Sequence, residues 1–305
     1  MSVPRIGVSL PHFGPHAGPE AVVAVAQAAE RYGFHAVSVS KRLLLPVRSD
    51  WGNGAKLPES HVWDPLEMLT WAAAHTRRIR VSTGVVNAIF QPPIVLARRL
   101  ATLDRLSHGR LDVGLGQGGG GTAETSYLIP EEFTAAGVPP SRRGAGFVEH
   151  VAAMRACWGP DPVEFHGERY RIPRSTVGPK PYNGTIPLFF GALVRPTIER
   201  AARSADGVVL VALDWEETRA GIGWYRDAGG TGTVVVNTIP TYLEDGIAED
   251  AFTDAVLADL DKAAALGADE MHISLNLIAP TPPARQVELL AALSFRLGLA
   301  APHVR

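Results

Sequence analysis

Strand-like and helix-like runs alternate from one end of this 305-residue chain to the other, and that alternation most constrains its fold. Such alternation is typical of parallel βα units. The strand-like runs cover residues 5–10, 36–40, 79–86, 111–115, 187–191, 207–211, 232–237 and 270–276. Eight such units, with no glycine-rich dinucleotide turn after the first, favour a closed barrel over an open doubly wound sheet. The sequence therefore predicts an α/β fold, a (β/α)8 TIM barrel that forms one domain over residues 1–305.

The segments between the strands carry helix-boundary signals. Asp64 and Pro65 stand where a capping carboxylate and a first-turn proline begin a helix. Residues 144–158 have helical character, and residues 163–170 alternate as in a small hairpin. The stretch 116–143 after strand four is predicted to be a long, irregular loop. A loop of this size inside a compact domain is usually functional.

The composition narrows the functional class. The chain is 46% hydrophobic and 20% charged with a net charge of −2, which is typical of a soluble globular enzyme and gives no electrostatic reason to expect nucleic acid. No apolar run reaches the ~18 residues of a membrane span, and no signal-peptide pattern opens the chain, so we expect a cytoplasmic protein with a small-molecule substrate. Cys157 is the single cysteine and is predicted to be a buried core thiol. No histidine pair has zinc-ligand spacing, so no metal is expected.

In a TIM barrel the chemistry lies where strands end and βα loops begin. His12 follows the first strand, and Ser40, Lys41 and Arg42 follow the second. Residues 84–87 end the third strand, 116–121 follow the fourth and 191–195 follow the fifth. These positions are therefore the candidate site.

One segment carries a specific family resemblance. Residues 97–116 read ARRLATLDRLSHGRLDVGLG, and this run resembles the most recognisable segment of the luciferase-like monooxygenase superfamily. Residues 143–149, 162–170 and 178–207 agree with it in order and spacing. Within the superfamily, residues 40–46, 57–76 and 84–87 look most like the actinobacterial subgroup that uses coenzyme F420 rather than FMN.

The resemblance implies where a cofactor would lie. The deazaflavin ring is expected across the end of strand three, where the family often has a non-prolyl cis peptide, here Gly84-Val85 with Val86 and Asn87 beside it. The loop after strand four is expected to add two further cofactor-binding residues. A cofactor phosphate is expected at the loop after strand five, where a helix N-terminus suits an anion. The residues assigned by the resemblance to these two loops are Gln117, Gly118, Gly191, Ala192, Leu193 and Val194.

The chain also departs from the family. Many relatives carry Asp-His after strand two, whereas this chain has Lys41-Arg42. These cations are predicted to bind an anionic cofactor tail, or one of them, with Lys41 as the candidate catalytic residue, to stabilise negative charge on a reduced ring or on a substrate oxygen. His12 is the best remaining imidazole candidate. A carboxylate that some sugar-phosphate-oxidising members place after strand four is replaced by Gln117-Gly118, which argues against sugar-phosphate oxidation.

The sequence thus predicts an F420-dependent oxidoreductase that transfers a hydride between deazaflavin C5 and a small organic substrate, in the direction of reducing an activated C=C or C=N bond. An FMN-dependent monooxygenase and a non-catalytic flavin-binding barrel are the alternatives, and a homodimer is left open. Residues 117–130, which contain four consecutive glycines, are predicted to be a lid over the site.

Overall fold

Parallel strands close into a barrel surrounded by helices in the computed structural model, which describes residues 3–47, 62–120, 128–239, 246–275 and 280–299. Within these ranges the barrel has eight strands, in the order β1-β10-β9-β8-β7-β4-β3-β2. The strands are β1 Arg5–Ser9, β2 Ala36–Val39, β3 Arg80–Asn87, β4 Leu111–Gly116, β5 Val163–His166, β6 Arg171–Ser175, β7 Leu188–Gly191, β8 Gly207–Ala212, β9 Thr233–Thr238 and β10 Glu270–Ser274. β5 and β6 form a separate antiparallel pair. The predicted TIM barrel is confirmed.

Helices connect the strands along the outside of the barrel. They are α1 Pro19–Arg31, α2 Pro65–Ala74, α3 Pro93–Leu106, α4 Pro130–Ala136, α5 Ala145–Trp158, α6 Arg195–Ser204, α7 Trp215–Asp227, α8 Glu249–Ala265 and α9 Pro283–Leu297. The predicted start of α2 is confirmed, because an Asp64 carboxylate oxygen accepts the Leu66 N–H at 3.1 Å. None of the helices in the described ranges is long and apolar enough to cross a membrane.

Two local predictions need correction. The hairpin extends beyond residues 163–170, because its second strand is Arg171–Ser175. The stretch 116–143 is not irregular throughout, since it contains α4. Pro130 at the start and two acidic residues in the first turn suit a helix N-terminus. Phe133 then anchors α4 by packing edge-on against Phe90, with ring centroids 5.1 Å apart.

The core has two parts. The larger part lies between the strands and the surrounding helices, and Cys157 is buried there as predicted. The smaller part lies inside the barrel, where Phe189, Val209 and Val235 pack together with Val85 above them. This inner cluster fills the barrel centre and forms an apolar floor beneath the carboxyl ends of the strands.

Arg110 ties β4 to the preceding helical layer. Its side chain is buried and donates hydrogen bonds to the carbonyls of Ser107, Ile79 and Ala73 at 2.7, 2.9 and 2.9 Å, and to the Thr76 hydroxyl at 3.0 Å. Five donors in a planar fork make such a set of bonds available to arginine alone. Arg110, which belongs to the family-like run 97–116, therefore has a structural role.

We predict that Arg110→Met lowers the free energy of unfolding by about 2–4 kcal/mol, because several buried carbonyls lose their donors. Urea denaturation measures this change. Arg105→Met is the control, since exposed Arg105 donates a side-chain hydrogen bond to the Lys180 carbonyl at 2.8 Å, and its loss should cost less than about 1 kcal/mol. Equal losses in the two variants would contradict this role for Arg110.

Candidate functional site

A cavity of about 340 Å³ opens at the carboxyl ends of the barrel strands. That volume is within the range of small-molecule and cofactor sites. Its wall includes Ser9, Phe13, Ser38, Ser40, Lys41, Arg42, Val62, Gly84, Val85, Asn87, Gly116, Gln117, Leu128, Arg143, Gly191, Ala192, Leu193, Val194, Thr197, Val209, Asn237, Thr238, His272 and Ser274. The loops after several different strands thus contribute to one site, as barrel geometry requires.

The structure brings the predicted site residues to this cavity with three exceptions. Val86 is fully buried and belongs to the outer core, because successive side chains of a strand point to opposite faces. Gly118 lies beneath the cavity wall and donates its N–H to the Asn87 side-chain oxygen at 3.2 Å. His12 is the third exception. Val86 and Gly118 therefore do not line the cavity in this structure, and their contacts with a cofactor stay a prediction.

The end of β3 has the backbone form that the family resemblance implied. The Gly84-Val85 peptide bond is cis, as predicted. The register between β3 and β4 shifts between Thr83 and Val86. Two neighbours hold this bulge: the Asn237 amide donates to the Gly84 carbonyl at 3.3 Å, and the Lys41 N–H donates to the Val85 carbonyl at 3.1 Å. The Val85 side chain is thereby presented to the cavity.

Glycines make room for the Val85 side chain. A Cβ atom at Gly191 would lie 3.0 Å from a Val85 methyl, and one at Gly114 would lie 2.8 Å from it. Both distances are shorter than ordinary carbon contacts. These two glycines therefore let Val85 form a flat apolar shelf over the inner cluster.

Three cations line the cavity, and no carboxylate does among the described lining residues. Buried Glu132 of α4 fixes Arg42 through a 3.1 Å ion pair and accepts the Leu43 N–H at 2.6 Å. The Lys41 ammonium lies 3.7 Å from half-exposed Asp64, which is too far for a strong bond. Lys41 thus lines the cavity with only a long ion pair to Asp64.

Arg143 is the third cation, and sequence reasoning did not assign it to the site. One of its terminal nitrogens donates to the Gly119 carbonyl at 2.9 Å. Its Nε is buried and has no hydrogen-bond partner among the described residues. Burial lowers the pKa of Arg200, and the nearby charges of Arg203 and Arg143 lower it further. An anion in the cavity would therefore reduce the electrostatic repulsion between these arginine side chains.

His12 lies behind the cavity wall instead of facing it. Its ring is fully buried; Nδ1 donates to the Leu10 carbonyl at 2.7 Å, and Nε2 accepts the Ser40 N–H at 3.1 Å. Burial lowers the pKa of His12 to about 4, so the ring is neutral near pH 7. This geometry does not favour the predicted catalytic role and makes His12 a positioning residue for Ser40.

Polar side chains on β9 and β10 form a part of the wall that sequence reasoning missed. Asn237 Oδ1, His272 Nδ1 and Ser274 Oγ are buried and have no hydrogen-bond partner among the described residues. In the sequence, Asn237 and His272 appear only as polar residues inside the seventh and eighth predicted strands, which are β9 and β10 in the structure. The rule that functional side chains stand at the carboxyl ends of barrel strands would have found them.

Two further predictions, the lid and the absence of a metal, can be compared only with the described residues. Most of the glycine-rich part of the predicted lid, residues 121–127, lies outside the described residues. Within the described ranges there is no group of three or more His, Cys, Asp or Glu side chains that could hold a metal ion.

Comparisons with known proteins agree with this geometry. The sequence profile of the luciferase-like monooxygenase family matches residues 5–249. An uncharacterized protein of Mycobacterium tuberculosis is 35% identical over 199 residues, which are 63% of this chain and 67% of that protein. An F420-dependent glucose-6-phosphate dehydrogenase of Nakamurella multipartita is 31% identical over 63% of this chain, but the match spans only 52% of that protein.

A solved structure resembles the fold over almost its whole length. The crystal structure of the monooxygenase RslO1 from Streptomyces bottropensis superposes with a TM-score of 0.76 at 24% identity, covering 96% of this chain and 98% of that one. At this identity the likeness concerns the barrel and its connections.

The low pKa of His12 predicts a pH-dependent stability. The unfolded imidazole takes up a proton near pH 6.5, whereas the folded one does so only near pH 4, so protonation favours the unfolded chain. The contribution of His12 to stability should be complete above about pH 6.5 and fall by up to about 3 kcal/mol as the pH drops toward 4, and buried His150, whose pKa is also lowered to about 4, adds to the same slope. Urea denaturation across this range measures the slope.

The His12→Asn variant should show a flatter slope, even if it is less stable at every pH. Phe13→Leu is the control, because Phe13 packs on the same ring with a 3.9 Å centroid distance but does not titrate. An unchanged slope in His12→Asn would show that His12 is not the group responsible.

Proposed function

The chain belongs to the luciferase-like monooxygenase family, and on that premise we propose that it is an oxidoreductase whose cofactor is coenzyme F420. The cofactor would occupy the cavity at the carboxyl ends of the strands. The observation that carries this proposal is the charge of that cavity: Lys41, Arg42 and Arg143 line it without a carboxylate among the described lining residues. Such a site attracts an anionic, phosphate-bearing ligand.

The residues present fit a flavin-like ring. Val85 offers an apolar shelf at one side of the cavity, and Val209 continues it. Ser40, Asn87 and Gln117 add polar groups that would meet the polar edge of such a ring. An apolar wall with a few convergent polar groups is the usual composition of a cofactor site.

The loop before α6 fits a phosphate. Gly191, Ala192, Leu193 and Val194 line the cavity and lead directly into the first turn of the helix. The N–H groups of a helix N-terminus and its dipole favour an anion. Thr197 in the first turn also lines the cavity. Its hydroxyl donates to the Val194 carbonyl at 2.7 Å, which braces the turn.

When bound, F420 supplies a two-electron hydride carrier at its C5 carbon. The protein would orient the substrate carbon against that position, exclude water with the apolar wall, and hold the cofactor by its negative charges. Lys41 would either bind the acidic cofactor tail or stabilise negative charge on a substrate oxygen or on the reduced ring. The preferred direction is reduction of an activated C=C or C=N bond.

Sugar-phosphate oxidation is not proposed, although the relative from Nakamurella multipartita carries that name. The loop after β4 presents Gln117, Gly119 and Gly120 to the cavity and no acidic group among its described residues. The second candidate function is an FMN-dependent monooxygenase, and the likeness to the monooxygenase RslO1 is the observation that favours it.

We predict that F420 binds more tightly than FMN and that added salt weakens the binding, because the acidic tail needs counter-charges. Fluorescence titration of the purified protein with each cofactor measures both affinities. Binding of FMN at least as tight as that of F420, with oxygen consumption, would replace the proposal by the monooxygenase. Binding without turnover of any substrate would favour a non-catalytic barrel.

Replacing the cation at the cavity mouth tests the same charge argument. Lys41→Ala should raise the Kd for F420 about tenfold, which corresponds to ~1.4 kcal/mol, and reduce its salt dependence. Lys262→Ala is the matched control, because Lys262 is half-exposed on α8, away from the cavity. If both variants bind F420 like the wild type, Lys41 is a solvated side chain without a role in binding.

A further inference from the structure

His272 stands inside the barrel at the cavity floor. It belongs to β10 and is 4% exposed, yet it lines the cavity. Its ring packs against β1 at Gly7, where a Cβ atom would lie 2.5 Å from the ring carbon Cδ2 and 2.6 Å from Nε2. The absence of a side chain at Gly7 therefore gives the imidazole its place. Nδ1 is not among the three ring atoms nearest to that position.

Glu270 determines which ring nitrogen carries the proton. Its carboxylate lies two residues earlier on β10, and one of its oxygens is 3.2 Å from His272 Nε2. Although burial alone would raise the pKa of Glu270, hydrogen bonds from His272 and His35 outweigh it and hold this pKa well below its usual range. Because an ionised carboxylate can only accept, Nε2 must donate. Nδ1 of the neutral ring then carries a free lone pair.

The charge of Glu270 is balanced at the opposite end of the barrel. The Arg5 guanidinium donates to its other oxygen at 2.7 Å, and His35 Nε2 is 3.3 Å from the same atom. The Arg80 guanidinium, which pairs with Asp112, also acts on it through charge. Glu270 is thus held in one position, with an oxygen kept for His272.

The free edge of His272 belongs to a group of unsatisfied polar atoms. Nδ1 is buried and has no hydrogen-bond partner among the described residues. Asn237, its register partner on β9, has an unpartnered Oδ1, and Ser274, the next inward residue on β10, has an unpartnered Oγ. Buried polar groups without partners are costly, and such groups cluster at functional sites. This part of the floor is suited to a polar ligand atom.

We propose that His272 is the residue that exchanges a proton with the substrate, through Nδ1, and that Glu270 positions it. This assignment rests on the proposed hydride-transfer function. Many relatives carry such an imidazole after strand two. In this chain it would lie on β10, which flanks β1 on the side opposite β2.

The chemical step balances with a reduced deazaflavin as the hydride donor. In the reduction of a conjugated C=C bond, the β-carbon accepts the hydride, which breaks the C=C π bond and moves its electron pair to the α-carbon and carbonyl oxygen. The neutral ring first takes up one proton from solvent at Nδ1, and the imidazolium so formed gives this proton to the enolate. The ring thereby returns to its neutral form, with Nε2 still donating to Glu270. In the oxidation direction Nδ1 accepts the substrate proton.

The first test needs no cofactor. In protein labelled with ¹⁵N-histidine, the His272 signals are identified by their loss in His272→Gln. We expect the neutral form of the ring to carry its proton on Nε2, with an unprotonated Nδ1, and we expect this preference to be lost in Glu270→Gln. A neutral wild-type ring that carries its proton on Nδ1, with Nε2 unprotonated, would overturn the assignment, whether or not the protein uses F420.

The second test measures turnover, with reduced F420 and cyclohex-2-enone as the probe substrate. His272→Gln keeps an amide donor toward Glu270 but has no group that ionises, so kcat should fall about 100-fold while F420 affinity stays unchanged. Added imidazole should restore part of the lost rate. Wild-type kcat in a folded His272→Gln variant would refute the proposal.

His150→Gln is the matched control. His150 is also fully buried, with Nε2 3.0 Å from the Gln91 carbonyl and an unpartnered Nδ1, but it lies outside the cavity. This variant is expected to lose stability while its kcat and its response to imidazole stay as in the wild type. A fall in kcat equal to that of His272→Gln, with the same rescue, would contradict a specific role for His272. If the wild type neither binds F420 nor reduces the enone, the proposed function fails, and the tautomer measurement still decides the assignment of His272.

Discussion

The parallel pairing of β1 with β10 is the constraint on which the rest of the structure depends. It closes the barrel and places Gly7 opposite His272 and Ser9 opposite Ser274. In a closed parallel barrel every strand ends at the same mouth, so polar residues far apart in sequence meet in one cavity. A side chain at Gly7 would occupy the space of the imidazole. The pairing therefore fixes both the fold and the position of the buried His272 ring.

Charge is divided between the two ends of the barrel. Cations line the mouth, where Glu132 holds Arg42 from outside the cavity. Carboxylates lie at the other end, where Glu270 pairs with Arg5 and Asp112 pairs with Arg80. The inner cluster of apolar side chains separates these regions. An anionic ligand is therefore favoured at the mouth, and His272 links Glu270 to the cavity.

The sequence predicted much of the architecture because each unit carries its own signals. The alternation predicted the strands, Asp64 predicted the start of α2, and the run 97–116 indicated the family. The cis bond at Gly84 followed from the resemblance and not from composition. What escaped prediction depends on three-dimensional neighbours: His12 has the same sequence appearance whether it faces the cavity or lies behind Ser40.

The same limit applies to the polar wall residues of β9 and β10 and to α4. Asn237 and His272 are single polar residues in apolar strands, and only register shows that they lie side by side. Glu132 appeared as one acidic residue of a loop, although it is the buried partner of Arg42. Local propensity cannot reveal such partners, because the partner is about 90 residues away in the chain.

The central claim is that the cationic cavity at the strand ends is an F420 site, and a crystal structure of the protein with F420 tests it most directly. We predict that the deazaflavin ring lies against the Val85 shelf, that the cofactor phosphate lies at residues 191–194, and that the acidic tail extends toward Lys41 and Arg42. Density for F420 on another surface, or a cavity that stays empty at saturating F420, would contradict it.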